Sequence, residues 1–201
     1  MEIIDLSIEL NESTRVQGED TGYSDPPVIF EPWVEFEHKG YRVTKIEMCA
    51  HSGTHVDVPY HFVRDGKTTS DFHINSFVGW AVVMDFVNKG PISIEMVLPF
   101  KGRIAGKRNV IPVIRNGVTD RFTSQARQEI LSWRPSAVLM GEGINIDETY
   151  AESTEFLNAG ILMIMNSDHS AVAKIRDNDL IVAAPLKATK LEAAPVRLFA
   201  I

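Results

Sequence analysis

Short apolar runs separated by polar, helix-forming segments mark the second half of the chain. The runs suited to buried strands lie at 80–87, 110–114, 138–140, 161–165, 180–184 and 196–200. Residues 125–133 carry apolar side chains at helical spacing, and residues 153–158 predict a short helix that Gly160 ends. Strands that alternate with helices indicate an α/β domain with a partly parallel sheet.

The first half of the chain has a weaker pattern. Residues 2–8 alternate enough to predict an edge strand. Residues 11–35 are rich in Gly, Pro and acidic residues and predict a long loop, a candidate cover for a functional site. Residues 41–50 alternate, with Ile46 on the apolar face, and predict a half-buried strand. Cys49 at its end is expected to be a small buried hydrophobe.

That strand leads into the segment with the most chemistry, His51-Ser52-Gly53-Thr54-His55-Val56-Asp57-Val58-Pro59-Tyr60-His61. Imidazole nitrogen and carboxylate oxygen are ligands of catalytic divalent metals such as zinc and manganese. Gly, Pro and β-branched residues disfavour a helix here, and in an extended chain His55, Asp57 and His61 share one face. A bend at Gly53 returns His51 to the same point.

Two histidines and one carboxylate leave open positions on a metal for water and substrate, and they suit zinc, manganese or iron. The interpretation from the residues alone is therefore a metal site formed by His51, His55 and Asp57. His61 lies farther along the face, at the rim, where it suits an acid/base better than a fourth ligand.

The string His-x-Gly-Thr-His-x-Asp-x-Pro-x-His resembles the signature of the cyclase family of metal-dependent hydrolases, which includes bacterial kynurenine formamidase and isatin hydrolase. Further similar segments extend the resemblance over nearly the whole chain: Asp5-Leu6-Ser7 with Thr14 and Asp20, Pro185-Leu186-Lys187 and Pro195-Val196-Arg197. The resemblance implies one α/β domain over residues 1–201, of the swivelling β/β/α type, with a mixed sheet and flanking helices.

The same resemblance implies roles for the motif residues. His51, His55 and Asp57 would bind one divalent metal ion, zinc or manganese, and His61 would transfer protons. It also implies a homodimer or homotetramer.

The chain departs from the family pattern at a second metal site, which two-metal members build from the shared Asp, a downstream His and a Glu. Thr154 stands where the His is expected, and Asn166 stands where the Glu is expected. The family's Gly-Ile-Asp segment reads Gly141-Glu142-Gly143, and Gln17 replaces a substrate-stacking Trp of the formamidases. We therefore expect an intact first site, a lost second site and an altered pocket.

Three other side chains are candidate substitutes for the missing ligands. Asp168 and His169 follow Asn166 closely, but we expect Asp168 to be a helix cap or turn residue and His169 to be exposed. His73 is expected to be a loop residue beside the site rather than a ligand.

We therefore hypothesise that the protein hydrolyses a small amide or lactam, such as an aryl formamide or a cyclic amide. Metal-activated water would attack the carbonyl, and His61 would carry the proton to the leaving nitrogen. Two alternatives stay open: a metal-dependent cyclase or dehydratase that uses the same site, and a non-catalytic member that keeps the fold.

Composition gives no sign of a nucleic-acid or membrane partner, so the expected partner is the small-molecule substrate of the metal site. The formal charge of −7 gives no basic footprint for nucleic acid, and the short basic stretch at 101–108 predicts a solvated loop. The single Cys excludes an intramolecular disulfide and fits a reducing compartment. The start lacks the features of a signal peptide, and no apolar run reaches the roughly 18 residues of a membrane span. We therefore expect a cytoplasmic protein.

Overall fold

The computed structural model describes residues 2–16, 24–86, 91–115, 122–141 and 150–201, and only the backbone of 150–152. Gln17, Asp20 and the pair Glu142-Gly143 lie outside these residues.

Nine strands form one mixed sheet, which confirms the predicted α/β class. In spatial order they are β1 (Ile4–Asp5), β11 (Phe199–Ala200), β9 (Leu180–Val182), β5 (Val78–Asp85), β6 (Val110–Arg115), β7 (Ala137–Met140), β8 (Leu162–Met165), β4 (His55–Asp57) and β10 (Ala193–Pro195). β5 to β8 are parallel neighbours, and the other pairings are antiparallel. β1 is an edge strand, as predicted.

Helices flank the sheet. They are α1 (Phe36–Lys39), α2 (Ile94–Val97), α3 (Lys101–Ile104), α4 (Ser124–Trp133), α5 (Tyr150–Asn158) and α6 (His169–Val172). The predicted helix at 125–133 is α4, and the one at 153–158 is the second half of α5. The prediction of a loop at 101–108 is wrong for its first four residues. They form α3 because Ile104 is fully buried, and the Lys101 ammonium lies 2.7 Å from Glu129 on α4.

The strands have a separate hydrophobic core on each face of the sheet. In β5, Ala81 and Val83 belong to one core, and Val82 and Met84 belong to the other. The second core is covered by α4 and α5, which contribute Ile130, Trp133, Phe156 and Leu157, all buried. Each such side chain contributes about 1.5–3 kcal/mol on burial.

β4 fixes the orientation of the motif by the same alternation. Val56 packs into the first core, so His55 and Asp57 point to the opposite face, beside their cross-strand partners Met165 and Met163 of the second core. α5 packs against the turn that follows β4. The motif therefore lies at the edge of the second core, under α5.

A separate two-stranded sheet, β2 (Ile29–Val34) and β3 (Val43–Glu47), corrects two predictions. The predicted loop over 11–35 contains β2. The predicted half-buried strand exists as β3, but all five of its residues are exposed because the two strands pair with each other and not with the main sheet. Ion pairs of Lys45 occupy one face, and Ile46 on the other face is 58% exposed.

Cys49 also differs from its prediction. It lies beyond the end of β3 and is half-buried, with Sγ 3.4 Å from the Ser52 hydroxyl. Within the described part of the chain, no helix is long and apolar enough to cross a membrane.

Candidate metal centre

A bend at Gly53 brings the first histidine back to the strand, as the sequence predicts. Gly53 has φ +66°, a left-handed conformation that favours glycine, and a Cβ there would lie 3.1 Å from Leu10 Cδ1, close enough that the Leu10 side chain would have to shift. After the bend, the rings of His51 and His55 meet edge to face, with their centroids 5.1 Å apart.

His55 is 1% exposed, and its tautomer follows from its surroundings. Nδ1 lies 2.8 Å from the Gly53 carbonyl oxygen, which can only accept a hydrogen bond. In the neutral ring the proton therefore belongs to Nδ1, and Nε2 carries a lone pair. That lone pair is directed towards Asp57, with Nε2 3.3 Å from Oδ1.

Asp57 lies at the centre of the cluster. Its Oδ1 is 3.0 Å from His51 Nδ1 and 3.3 Å from His55 Nε2. Among the described residues, neither Asp57 Oδ1 nor His55 Nε2 has a hydrogen-bond partner, although both atoms are buried. Buried polar atoms without partners are costly, and a convergent set of them is the arrangement that a cation would satisfy.

His61 joins this cluster by a route that differs from the predicted one. The extended chain ends at Asp57, and a 3₁₀ turn at Pro59–His61 follows, with Pro at its first position. The His61 ring centroid is 4.4 Å from that of His51. One ligand atom from each of His51, Asp57 and His61 lies within 4.8 Å of the others. The structure thus brings the four predicted residues together, and their individual roles stay predictions.

The electrostatics follow from burying three imidazoles around one carboxylate. Burial alone would raise the pKa of Asp57, but the charges and hydrogen bonds that His55 and His51 provide when protonated outweigh it and hold this pKa far below its usual range. Burial also opposes protonation of His51, but the adjacent Asp57, with the charges of Glu192 and Asp25, raises the pKa of His51 above its ordinary value. For His61, burial is the largest effect, and its pKa is lowered.

Glu192 and Asp25 are neighbours of the site that sequence reasoning missed. Glu192 Oε1 lies 3.6 Å from His51 Nε2, on the side of that ring away from Asp57. Asp25, in the predicted cover loop, is near enough for its charge to affect His51. Glu192 lies three positions before Pro195-Val196-Arg197, a segment that carries part of the resemblance, and this is its only signal in the sequence. Asp25 has no such signal.

Comparison with known proteins gives a family match over most of the chain. The family model named "Putative cyclase" matches residues 4–163. The chain belongs to this cyclase family. A kynurenine formamidase from Bacillus cereus is 28% identical over 211 residues, which cover 98% of this chain and 95% of the relative. Another, from Geobacillus thermodenitrificans, is 35% identical over 92 residues, which cover 46% of this chain and 42% of the relative.

Solved structures of similar proteins share the fold. Isatin hydrolase A from Labrenzia aggregata, bound to benzyl benzoate, superposes with a TM-score of 0.81 at 19% identity, covering 99% of this chain and 93% of that one. A structure described as a potential metal-dependent hydrolase with cyclase activity superposes with a TM-score of 0.70 at 20% identity, covering 99% and 96%. At these identities the likeness establishes the fold alone.

Asn166 and Thr154, where the resemblance implies ligands of a second metal site, lie at the end of β8 and on α5. Asn166 has φ +53°, a left-handed conformation that Asn tolerates, and its carbonyl accepts a hydrogen bond of 2.6 Å from the Thr54 hydroxyl. Thr154 is half-buried on α5. Neither position therefore carries a carboxylate or an imidazole.

The candidate substitutes behave as expected. Asp168 caps α6 by accepting hydrogen bonds from the Ala171 amide and the Ser170 hydroxyl, and His169 is exposed. His73 is exposed as well, and its Nδ1 accepts from the Asn75 amide at the start of a 3₁₀ turn.

Proposed function

We propose that this protein is a metal-dependent hydrolase that breaks the carbon–nitrogen bond of a small amide or lactam, such as an aryl formamide or a cyclic amide. The observation that carries the proposal is the pair of buried, unpartnered atoms His55 Nε2 and Asp57 Oδ1, with His51 Nδ1 beside them. The sequence similarity to a kynurenine formamidase over nearly the whole chain supports an amide substrate.

In this proposal His51, His55 and Asp57 would hold one divalent ion, zinc or manganese, and His61, whose ligand atom converges with those of His51 and Asp57, is a further candidate ligand. Tetrahedral bonds of about 2.0–2.1 Å separate neighbouring ligand atoms by about 3.3 Å. The separations here are 3.0 Å from His51 to Asp57 and 3.3 Å from Asp57 to His55. Such an ion, when bound, lowers the pKa of water and polarises a carbonyl oxygen.

His61 supplies proton transfer in this proposal. Its pKa is lowered, chiefly by burial, so the ring is neutral near pH 7 and can accept a proton from the attacking water. The protonated ring can then donate to the leaving nitrogen. Because its nitrogen also lies within 4.8 Å of the His51 and Asp57 ligand atoms, a direct test has to separate proton transfer from ligation.

The test measures turnover and metal content together. Zinc-loaded and manganese-loaded protein is assayed on an aryl formamide, isatin and an aryl ester. We expect amide turnover that falls by at least about 100-fold in His61→Ala with metal content unchanged. His169→Ala, which removes an exposed imidazole, is the matched control and should leave turnover unchanged.

Other outcomes assign other roles. Loss of metal from His61→Ala would make His61 a ligand. Silence of the metal-loaded protein on every substrate would refute the hydrolase proposal and favour the cyclase or dehydratase alternative. Silence together with no metal binding would favour a non-catalytic role.

We also propose that the protein forms a homodimer or homotetramer through the hairpin of β2 and β3. A two-stranded sheet is marginally stable alone, and this one exposes Trp33 at 71% and Ile46 at 58%.

A further inference from the structure

The side of His51 away from Asp57 faces a carboxylate to which neither the sequence motif nor the comparisons give a role. His51 has two ring nitrogens: Nδ1 lies 3.0 Å from Asp57 Oδ1, and Nε2 lies 3.6 Å from Glu192 Oε1. The ring is thus held between two negative groups, one buried in the cluster and one at its rim. The His51 side chain is 12% exposed, and that of Glu192 is 36% exposed.

The backbone around Glu192 holds it in a fixed place beside the motif. Its carbonyl accepts a hydrogen bond of 3.0 Å from the Val58 amide, and the preceding carbonyl, of Leu191, accepts one of 3.0 Å from Thr69. The next residue, Ala193, is paired with Asp57 in the register of β10 and β4 and is fully buried. Glu192 is therefore anchored to the strand that carries the cluster, unlike a free surface glutamate.

The two histidines would then present different ring nitrogens to the ion, each with its proton on the other nitrogen. His55 donates from Nδ1 to the Gly53 carbonyl and leaves Nε2 free. If His51 ligates through Nδ1, which is the nitrogen beside Asp57, its proton must be on Nε2, and the acceptor on that side is Glu192. A histidine that binds a metal usually donates its other N–H to a carboxylate or a backbone carbonyl, which fixes the ring and makes the ligand more basic.

We propose that Glu192 is a positioning residue of the metal centre, which accepts the Nε2 proton of His51 so that Nδ1 is presented to the ion. The inference rests on the proposed function, since it requires a divalent ion in the cluster. At 3.6 Å the contact is longer than a hydrogen bond, so the proposal requires Glu192 Oε1 to approach His51 Nε2 when the ion is bound.

The test compares zinc dissociation constants, measured by competition with a chromophoric chelator. Loss of a carboxylate behind a metal-binding histidine costs about 10–100-fold in affinity. We expect Glu192→Ala to lose affinity in this range, and Glu192→Gln, which keeps an acceptor oxygen, to lose less. Glu95→Gln is the control, because Glu95 is an exposed glutamate on α2 that accepts a hydrogen bond from the Ser93 hydroxyl. Its zinc dissociation constant should match that of the wild type.

Two further measurements exclude a merely structural effect. Thermal unfolding of the metal-free variants should match wild type. In the zinc-loaded wild type, ¹⁵N NMR of the imidazoles should report His51 bound through Nδ1 and protonated on Nε2, with the reverse for His55.

Each contrary result has one meaning. Affinities of both Glu192 variants within twofold of wild type, or a His51 bound through Nε2, would overturn the role of Glu192 and leave the proposed function intact. Absence of both zinc and manganese binding by the wild type would overturn both.

Discussion

Replacing Asp57 by Asn removes the central charge of the cluster at almost constant volume. Asp57 Oδ1 is the atom close to both His51 Nδ1 and His55 Nε2, at 3.0 and 3.3 Å, and the residue is only 6% exposed. Glu192 faces the other nitrogen of His51, so it does not stand in for the lost oxygen. We therefore expect Asp57→Asn to weaken zinc binding by at least about 100-fold, the upper end of the loss seen for supporting residues.

This loss of zinc affinity corresponds to a calculable decrease in the Tm shift that zinc causes. At a free zinc concentration of about 100 times the dissociation constant, binding stabilises the fold by about 2.7 kcal/mol. For a chain of this length, 1 kcal/mol moves the Tm by about 2–4 °C, so zinc should raise the Tm of wild type by about 5–11 °C. A 100-fold weaker site gains only about 0.4 kcal/mol at the same concentration, which corresponds to about 1–2 °C.

The assay is scanning calorimetry of the metal-free proteins with and without zinc, each compared with its own metal-free Tm. Asp65→Asn, which changes an exposed aspartate eight positions along, is the matched control and should keep the full shift. If Asp57→Asn keeps the wild-type shift, Asp57 is not a ligand and the reasoning about the unpartnered Oδ1 is refuted.

Three further predictions concern the bend, the pH dependence and the hairpin. Gly53→Ala should lower stability by about 1–2 kcal/mol because of its left-handed φ of +66°, seen as a Tm drop of about 2–8 °C; an unchanged Tm would contradict this. The pKa of His51 is raised in the folded, metal-free protein, so protonation of His51 stabilises the fold. This stabilisation is complete at pH values below the unfolded pKa of about 6.5 and is lost as the pH rises through the folded pKa. Zinc competes with that proton, so chelator competition should show affinity that increases from about pH 6 to 8; a flat or falling profile is the contrary result. Ile46→Glu on the apolar face of the hairpin should shift light scattering towards the monomer, whereas Glu47→Gln should not; equal masses for both variants and wild type would remove the hairpin from the interface.

The parts of the fold that the sequence predicts are those set by local pattern. The apolar runs of β5 to β8 are buried on both faces, so their composition marks them as strands without knowledge of their partners. Within the motif, alternation around Val56 correctly put His55 and Asp57 on one face, and the glycine correctly marked the bend.

The sequence does not predict features that depend on contacts between residues far apart in the chain. Alternation in β3 indicates a strand, but it does not tell whether another element covers the apolar face, and here the chain itself leaves Ile46 exposed. Glu192 comes beside the cluster only because β10 pairs with β4 across a long sequence separation. The 3₁₀ turn that carries His61 begins at Pro59, which the sequence marks only as an interruption.

One divalent ion in the cluster of each chain is the expectation on which the proposed function depends. Elemental mass spectrometry of protein purified without chelator, incubated with zinc and freed of excess metal by gel filtration, measures it directly. We expect about one equivalent per chain, lost in His55→Ala and retained in His73→Ala, which removes the exposed histidine that caps a 3₁₀ turn. Less than a tenth of an equivalent in the wild type, with manganese giving the same result, would contradict it.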